Sequence, residues 1–540
     1  MMKKRVCVVG AGPSGLPSAR WALEYGFTPV IFEATDSLGG LWNYKEDETE
    51  WSTVNSFTVN NTSKELTSYS DFPPKESSAP YMPWRDLLSY FKDYAHHHGI
   101  DKYILYKHRV INIQRAANYK ETGNWMVQYQ DGSGAIKSQM FEYVIIATGH
   151  HGMPNLPDEY PGQSSFTGKI IHSKAYKNNK DLDGKTVVAV GLGNSAIDVA
   201  TDSSRVAKQV YLSTRRGGYV WSKVGPFGRP MDTYLNRRFV ATVKKIAPAL
   251  YSFVAEQFIN AVFEHKAYGL APKHRVIQQQ GAFSDELFGR LIGGSVKVTG
   301  EIREFTENGI IFADGKVVED VDLVVFGTGF KFNFNILENG GLIPVDKNII
   351  QKDRKLWKRI FPINLAPKST LGMIGFFQPV GSLMPISEMQ ARLFFEVATG
   401  SIKLPPAEVM RAEMDESDKK MANRFYSSTR HTLQVDFTGY MTELADLIGC
   451  TPNFKQLIFS DPKLAFHAFF GPDVAYCYRI SGPKSWSGAR EAVLGCQKRL
   501  MAGVKHRQGE VGNTNFYLAV LVIVLVALIA SYGVFGGCIH

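Results

Sequence analysis

An apolar run, Val6-Cys7-Val8-Val9, opens directly into Gly10-Ala11-Gly12-Pro13-Ser14-Gly15, and a helix-type stretch follows from Leu16 to Tyr25. Few sequence features restrict a fold as strongly. The first glycine permits a tight turn between strand and helix, the second lets backbone approach a pyrophosphate, and the third lets the helix lie close against the strand. The helix N-terminus offers unpaired N–H groups and partial positive charge to the phosphates. Val30-Ile31-Phe32 then reads as a second strand, and Glu33 at its carboxyl end can accept both ribose hydroxyls. A chance glycine-rich turn is the bland alternative. The strand before, the helix after and the acid in place favour a dinucleotide site.

The pattern returns. Thr186-Val187-Val188-Ala189-Val190 leads into Gly191-Leu192-Gly193-Asn194-Ser195-Ala196, and a helix continues through Ile197, Asp198, Val199 and Ala200. The strand after it ends at Ser213-Thr214-Arg215-Arg216, so two arginines stand in for the acid of the first copy. Guanidinium groups bind a 2′-phosphate through charge-assisted bonds, so this site favours NADP over NAD; two surface arginines at a strand end are the competing account. A second theme also repeats. Trp125 to Tyr129, a turn at Asp131-Gly132 and a buried strand Tyr143 to Ile146 end in Ala147-Thr148-Gly149; Ile310 to Phe312, a turn at Asp314-Gly315 and Val321 to Phe326 end in Gly327-Thr328-Gly329. Such an internal repeat predicts an α/β fold of two nested Rossmann-like dinucleotide-binding domains. The expected first domain comprises 1–154 and 331–445, and the second 155–213 and 296–330, around an insertion at 214–295. A C-terminal extension follows at 446–512. Two sites in one chain imply electron traffic between a flavin and a nicotinamide.

Composition matters in three places. The 540 residues exceed one ordinary core. The net charge of +10 is spread without a dominant basic run, which argues against a nucleic-acid partner. The five cysteines are scattered and form no C-x-x-C pair, which fits a reducing compartment and argues against a disulfide framework, a metal site and a disulfide reductase. Residues 511–539 carry no charged side chain, and 513–536 is predicted to span a bilayer as a tail anchor. Lys498, Arg499, Lys505, His506 and Arg507 precede it on the side expected to stay cytoplasmic. Between these landmarks, Trp84 to His98 and Glu388 to Ala398 read as helices, and Phe239 to Phe263 has helical character. His96-His97-His98 reads as solvated, Gly375 to Pro379 as a strand end facing cofactor through Gln378, and the polar stretch from Val59 to Glu65 as a surface loop.

Phe166, Gly168, His172 and Tyr176 match the pattern F-x-G-x-x-x-H-x-x-x-[FY] between the two fingerprints. Together these features resemble the flavin-containing monooxygenases, also called dimethylaniline N-oxide-forming monooxygenases, over the whole chain. The resemblance implies FAD on Gly10 to Ser14 with Glu33, Leu41, Trp42, Asn61 and Thr62, and NADP at Asn60, Asn61 and Ser195 to Asp198. It implies that Asn61 faces the flavin as the catalytic residue, which reverses the surface-loop reading, and that His172 is structural. Gly327 departs from the family's usual Ala-Thr-Gly at that strand end. The implied reaction is a C4a-hydroperoxyflavin passing one oxygen of O2 to soft nitrogen or sulfur of small lipophilic nucleophiles. Baeyer–Villiger oxidation of ketones is an alternative, because Arg215-Arg216 resembles a vertebrate subgroup that favours it, and NADPH oxidase activity releasing peroxide is another. The expected location is the endoplasmic reticulum membrane with the catalytic domains facing the cytosol; a homodimer is left open.

Overall fold

Runs rich in valine, such as Val6–Val9 and Thr186–Val190, have no polar face to offer water, so they are stable only with both faces covered. In the computed structural model, which describes residues 3–343, 356–424 and 434–504, they become the central strands of two parallel five-stranded sheets. The first sheet runs Leu371–Met373, Tyr143–Ile146, Arg5–Val9, Thr28–Phe32, Ile104–Leu105. The second runs Lys169–His172, Leu323–Phe326, Thr186–Val190, Gln209–Ser213, Val296–Thr299. Four strands follow in the same order, and the edge strand differs: Leu371–Met373 comes last in the chain for the first sheet and Lys169–His172 first for the second. Each also carries a three-stranded antiparallel ribbon just before the strand that returns to pair with the central one, at 109–141 before Tyr143–Ile146 in the first and at 302–318 before Leu323–Phe326 in the second.

The helices cover the sheet faces. Gly15–Glu24 packs on the first sheet, and Leu383–Thr399 lies across it with Met384 to Glu396 buried. That helix is longer than the 388–398 stretch read from sequence, and Gly400 ends it in the left-handed region at φ +83°. Asn194–Ser203 packs on the second sheet together with Glu286–Ile292, whose Leu287 and Leu291 enter the same core.

Within the insertion, the single helical stretch expected at 239–263 is two helices, Arg238–Ile246 and Pro248–Val262. Pro248 explains the break: it has no N–H to donate backwards, so it begins a helix instead of continuing one. His98 corrects the solvated reading of its triplet. His96 and His97 are exposed, but His98 caps the helix Trp84–His97 with its ring 4.6 Å from that of Tyr94, and burial pushes its pKa down to about 4. Among the described residues no helix is long and apolar enough to cross a membrane; the predicted anchor at 513–536 lies outside the described residues.

Candidate active site

The first glycine turn is closed by backbone. Gly10 N–H donates to the Phe32 carbonyl at 2.8 Å, and Ala147 N–H to the Val9 carbonyl at 2.9 Å. Gly10 sits at φ +103°, and a Cβ there would lie 2.7 Å from the Ala147 carbonyl oxygen, so a side chain is excluded twice over. Gly39 N–H donates to the Ala11 carbonyl at 3.0 Å, which brings the short turn Gly40–Trp42, and with it Leu41 and Trp42, over the glycines. Trp42 is half-buried there, not exposed. Glu33 Oε2 accepts from Ala11 N–H at 2.9 Å, and Oε1 accepts from the N–H and hydroxyl of Thr35 at 2.9 and 2.7 Å. Glu33 therefore orders the turn, and the Ala11 amide is spent on it. Pro13 has no N–H, and its carbonyl accepts from Tyr69 Oη at 2.7 Å. The amides of Gly12 and Ser14 make no hydrogen bond among the described residues. These donors at a helix N-terminus fit a pyrophosphate.

The second turn repeats the geometry. Gly191 N–H donates to the Ser213 carbonyl at 2.9 Å, and Gly327 N–H to the Val190 carbonyl at 2.8 Å. A Cβ on Gly193 would meet nothing within 4 Å, so the space before the helix Asn194–Ser203 is open to a ligand. The side chains of Ala196 and Ile197 are fully buried in the core, leaving only their backbone to a ligand, while Ser195 is exposed. Asn194 Oδ1 accepts from Phe283 N–H at 3.1 Å. Asp198 lies one turn on, where burial pushes its carboxyl up to about 6 against the opposing pull of Lys223.

Register refines the acid-for-arginine exchange. Thr214 N–H donates to the Thr299 carbonyl just as Glu33 N–H donates to the Leu105 carbonyl, both at 3.0 Å. Thr214 therefore stands where Glu33 stands, and Arg215 and Arg216 follow it, both exposed.

The stretch that looked like a surface loop is buried from Ser63 to Ser70. Its charges are neutralised by partners far away in sequence. Lys64 Nζ donates to the carbonyls of Lys75, Glu76 and Ser78 at 3.2, 2.9 and 2.7 Å. Glu65 accepts from Arg499 Nε and Nη2 at 3.0 and 2.7 Å. Asn60 Nδ2 donates to Thr67 Oγ1 at 2.9 Å, and its Oδ1 accepts from the Thr62 hydroxyl at 3.3 Å. Its side chain, like that of Thr62, closes the loop. Asn61 beside it is half-buried, and its amide makes no hydrogen bond among the described residues.

The linker motif is scaffolding. Lys174 N–H donates to His172 Nδ1 at 3.1 Å, so Nε2 carries the proton and donates to the Gly329 carbonyl at 2.9 Å. Tyr176 donates to Asp202 at 2.8 Å, and the Phe166 ring packs against Phe305. Gln378 is exposed on the short strand Gln378–Val380, outside both large sheets. Sequence reasoning missed Ser387, which pairs with the Ser14 hydroxyl at 3.0 Å, and Arg499. Nothing local signals either of them.

The family described as flavin-binding monooxygenase-like matches residues 3–534. The chain belongs to this family. Flavin-containing monooxygenase 5 of Homo sapiens is 39% identical over 98% of this chain and 100% of the relative. Dimethylaniline monooxygenase 2, N-oxide-forming, of Mus musculus is 37% identical over 98% of each. Among solved structures, the S-allyl-L-cysteine S-oxygenase of Allium sativum aligns with a TM-score of 0.63 at 22% identity, covering 91% of this chain and 99% of that one. An open cyclohexanone monooxygenase structure aligns at 0.58 and 18% identity over 83% and 98%. The flavin-binding monooxygenase assignment makes the chain an enzyme, and FAD and NADP, the cofactors expected of the two cradles, agree with it.

Proposed function

We propose that this monooxygenase uses NADPH and FAD to transfer one atom of O2 to soft nucleophilic nitrogen or sulfur of small lipophilic substrates. The observation that carries this reading is the duplicated cradle: two helix N-termini with open backbone donors, the first beside Glu33 and the second followed by Arg215 and Arg216. When bound, FAD reduced by NADPH supplies the activated oxygen. The protein's own work is to bind, orient and keep dry. The Gly12 and Ser14 amides hold the FAD pyrophosphate, and the lone pairs left on Glu33 accept the ribose hydroxyls. Arg215 and Arg216 hold the 2′-phosphate of NADPH. The unpartnered amide of Asn61 hydrogen-bonds at the flavin edge, on a loop whose burial from Ser63 onward excludes water from one side.

The N-oxide-forming name of one relative supports nitrogen as an acceptor. Ketones form a second substrate class, favoured by the Arg215-Arg216 pair. The deciding experiment compares oxygen consumed with peroxide released by the purified full chain, with and without a tertiary amine, an alkyl aryl sulfide or a ketone. Substrate-dependent product with falling peroxide supports oxygen transfer. Peroxide equal to NADPH oxidised under every condition would leave only an oxidase.

A further inference from the structure

The insertion at 214–295 packs on the second cradle's helix through Glu286–Ile292, and it reaches both cradles through hydrogen bonds from buried or half-buried groups. At one end, Asp232 is 3% exposed, and its Oδ2 accepts from Ser63 N–H at 2.5 Å, two residues after Asn61. Its Oδ1 accepts from Tyr81 Oη at 3.3 Å, and the same hydroxyl lies 2.8 Å from the Lys223 carbonyl. At the other end, Phe283 N–H donates to Asn194 Oδ1, the first residue of the helix behind the second glycine turn. The two ends are joined inside the insertion, where Val220 and Trp221 pair in parallel with Ala282 and Phe283, and Met231 N–H donates to the Lys223 carbonyl at 2.8 Å. Ser63 gives its amide to Asp232, and its hydroxyl is buried beside the same carboxylate. The loop is thus held by its backbone, at a point the insertion controls.

We propose that Asp232 is a positioning residue for oxygen transfer: it fixes the Asn61 loop over the first cradle while the same insertion is fastened to the second. The inference rests on the reading of Asn61 given above. Coupled turnover converts NADPH, H+, O2 and substrate S to NADP+, SO and water; uncoupled turnover converts NADPH, H+ and O2 to NADP+ and H2O2. A displaced loop admits water and shifts the flux from the first to the second, because errors of about 1 Å at a reacting centre cost large factors in rate.

The test uses the full-length holoprotein and two readouts: amide hydrogen exchange of the segment 59–68, and peroxide formed per NADPH oxidised at saturating sulfide. Asp232→Asn keeps an acceptor in place without the charge, and is expected to match the wild type in both. Asp232→Glu keeps charge and acceptor but adds a methylene, displacing Ser63 by roughly 1.5 Å. It is expected to speed exchange and raise the peroxide ratio, each about tenfold, with flavin content unchanged. Ser63→Pro reaches the same bond from its other end, since φ −66° at Ser63 already suits proline, and it removes the backbone donor together with the Ser63 hydroxyl. It is expected to leak like Asp232→Glu, and it decides the matter if that variant does not fold. Positioning by Asp232 is overturned if Asp232→Asn leaks as much as Asp232→Glu, or if the loop loosens with the peroxide ratio unmoved. Normal oxygenation by Asn61→Asp sinks the Asn61 reading instead, while leaving the exchange result as a measure of the anchor alone.

Discussion

Asn61 is the residue on which oxygen transfer turns in the proposed site, because its amide has no charge and makes no hydrogen bond among the described residues. Asn61→Asp places a carboxylate beside a reduced, electron-rich ring. Product formation is expected to fall by about a hundredfold or more with FAD still bound, as when a positioned hydrogen bond at a reacting centre is lost. Flavin absorbance and sulfoxide yield on the same sample measure both halves of that statement. Arg215 and Arg216 are argued from charge. Replacing both with alanine is expected to lower the NADPH-to-NADH preference by roughly ten- to a hundredfold, the worth of charge-assisted bonds, and an unchanged preference would remove their 2′-phosphate role. Asp232 gives a pH-dependent prediction. Burial raises its carboxyl from 3.8 to about 6, so the folded protein holds a proton that the unfolded chain has released across that window. Stability therefore falls as pH rises through it, by up to roughly 3 kcal/mol once the group is ionised in both states. Asp232→Asn escapes the penalty, so its melting temperature is expected to exceed the wild type's at pH 7.5 and to converge with it near pH 4.

At the scale of the elements, the two glycine turns differ at one packing contact. Gly15 on the first helix corresponds to Ala196 on the second, and Ala147 at the first strand end corresponds to Gly327. The small residue has changed sides. A Cβ on Gly327 would lie 2.6 Å from that of Ala196, so the glycine at the strand end accommodates the alanine on the helix. Gly327→Ala alone is expected to destabilise by roughly 1–3 kcal/mol through overpacking. Adding Ala196→Gly should restore part of the loss, because the new Cβ also lies 2.9 Å from the Ala196 Cα and N, and a double-mutant cycle by chemical denaturation reads that coupling directly. The sheets themselves were legible because local sequence dictates them: apolar runs, glycines at fixed spacing and turn dipeptides recur in the same order. The loop at 60–70 was not legible from its residues. Its polarity says surface, and only partners at 75–78, 232, 388 and 499 make burial affordable. Thr214 is a different case, since counting alone matches it to Glu33: it follows Gly191 at the same distance as Glu33 follows Gly10, and the strand register agrees.

At the scale of the molecule, the last described helix, Ala489–Ala502, ties the C-terminal extension to the Asn61 loop through Arg499 and Glu65. Lys505, His506 and Arg507 and then the apolar segment 513–536 follow it in sequence. A chain ending at 504 is expected to keep this contact, and with it the flavin, but to move from the membrane pellet to the supernatant on fractionation of expressing cells. Recovery of the shortened chain in the pellet would remove the tail anchor from the reading. The order in which the strands are strung has its own consequence. The second sheet is finished by Phe326, whereas the first waits for Leu371–Met373 to fill its edge. As the nascent polypeptide leaves the ribosome, the half translated first is therefore the half that matures last, and its amino-terminal strands must await their missing neighbour while the later-encoded half closes between them.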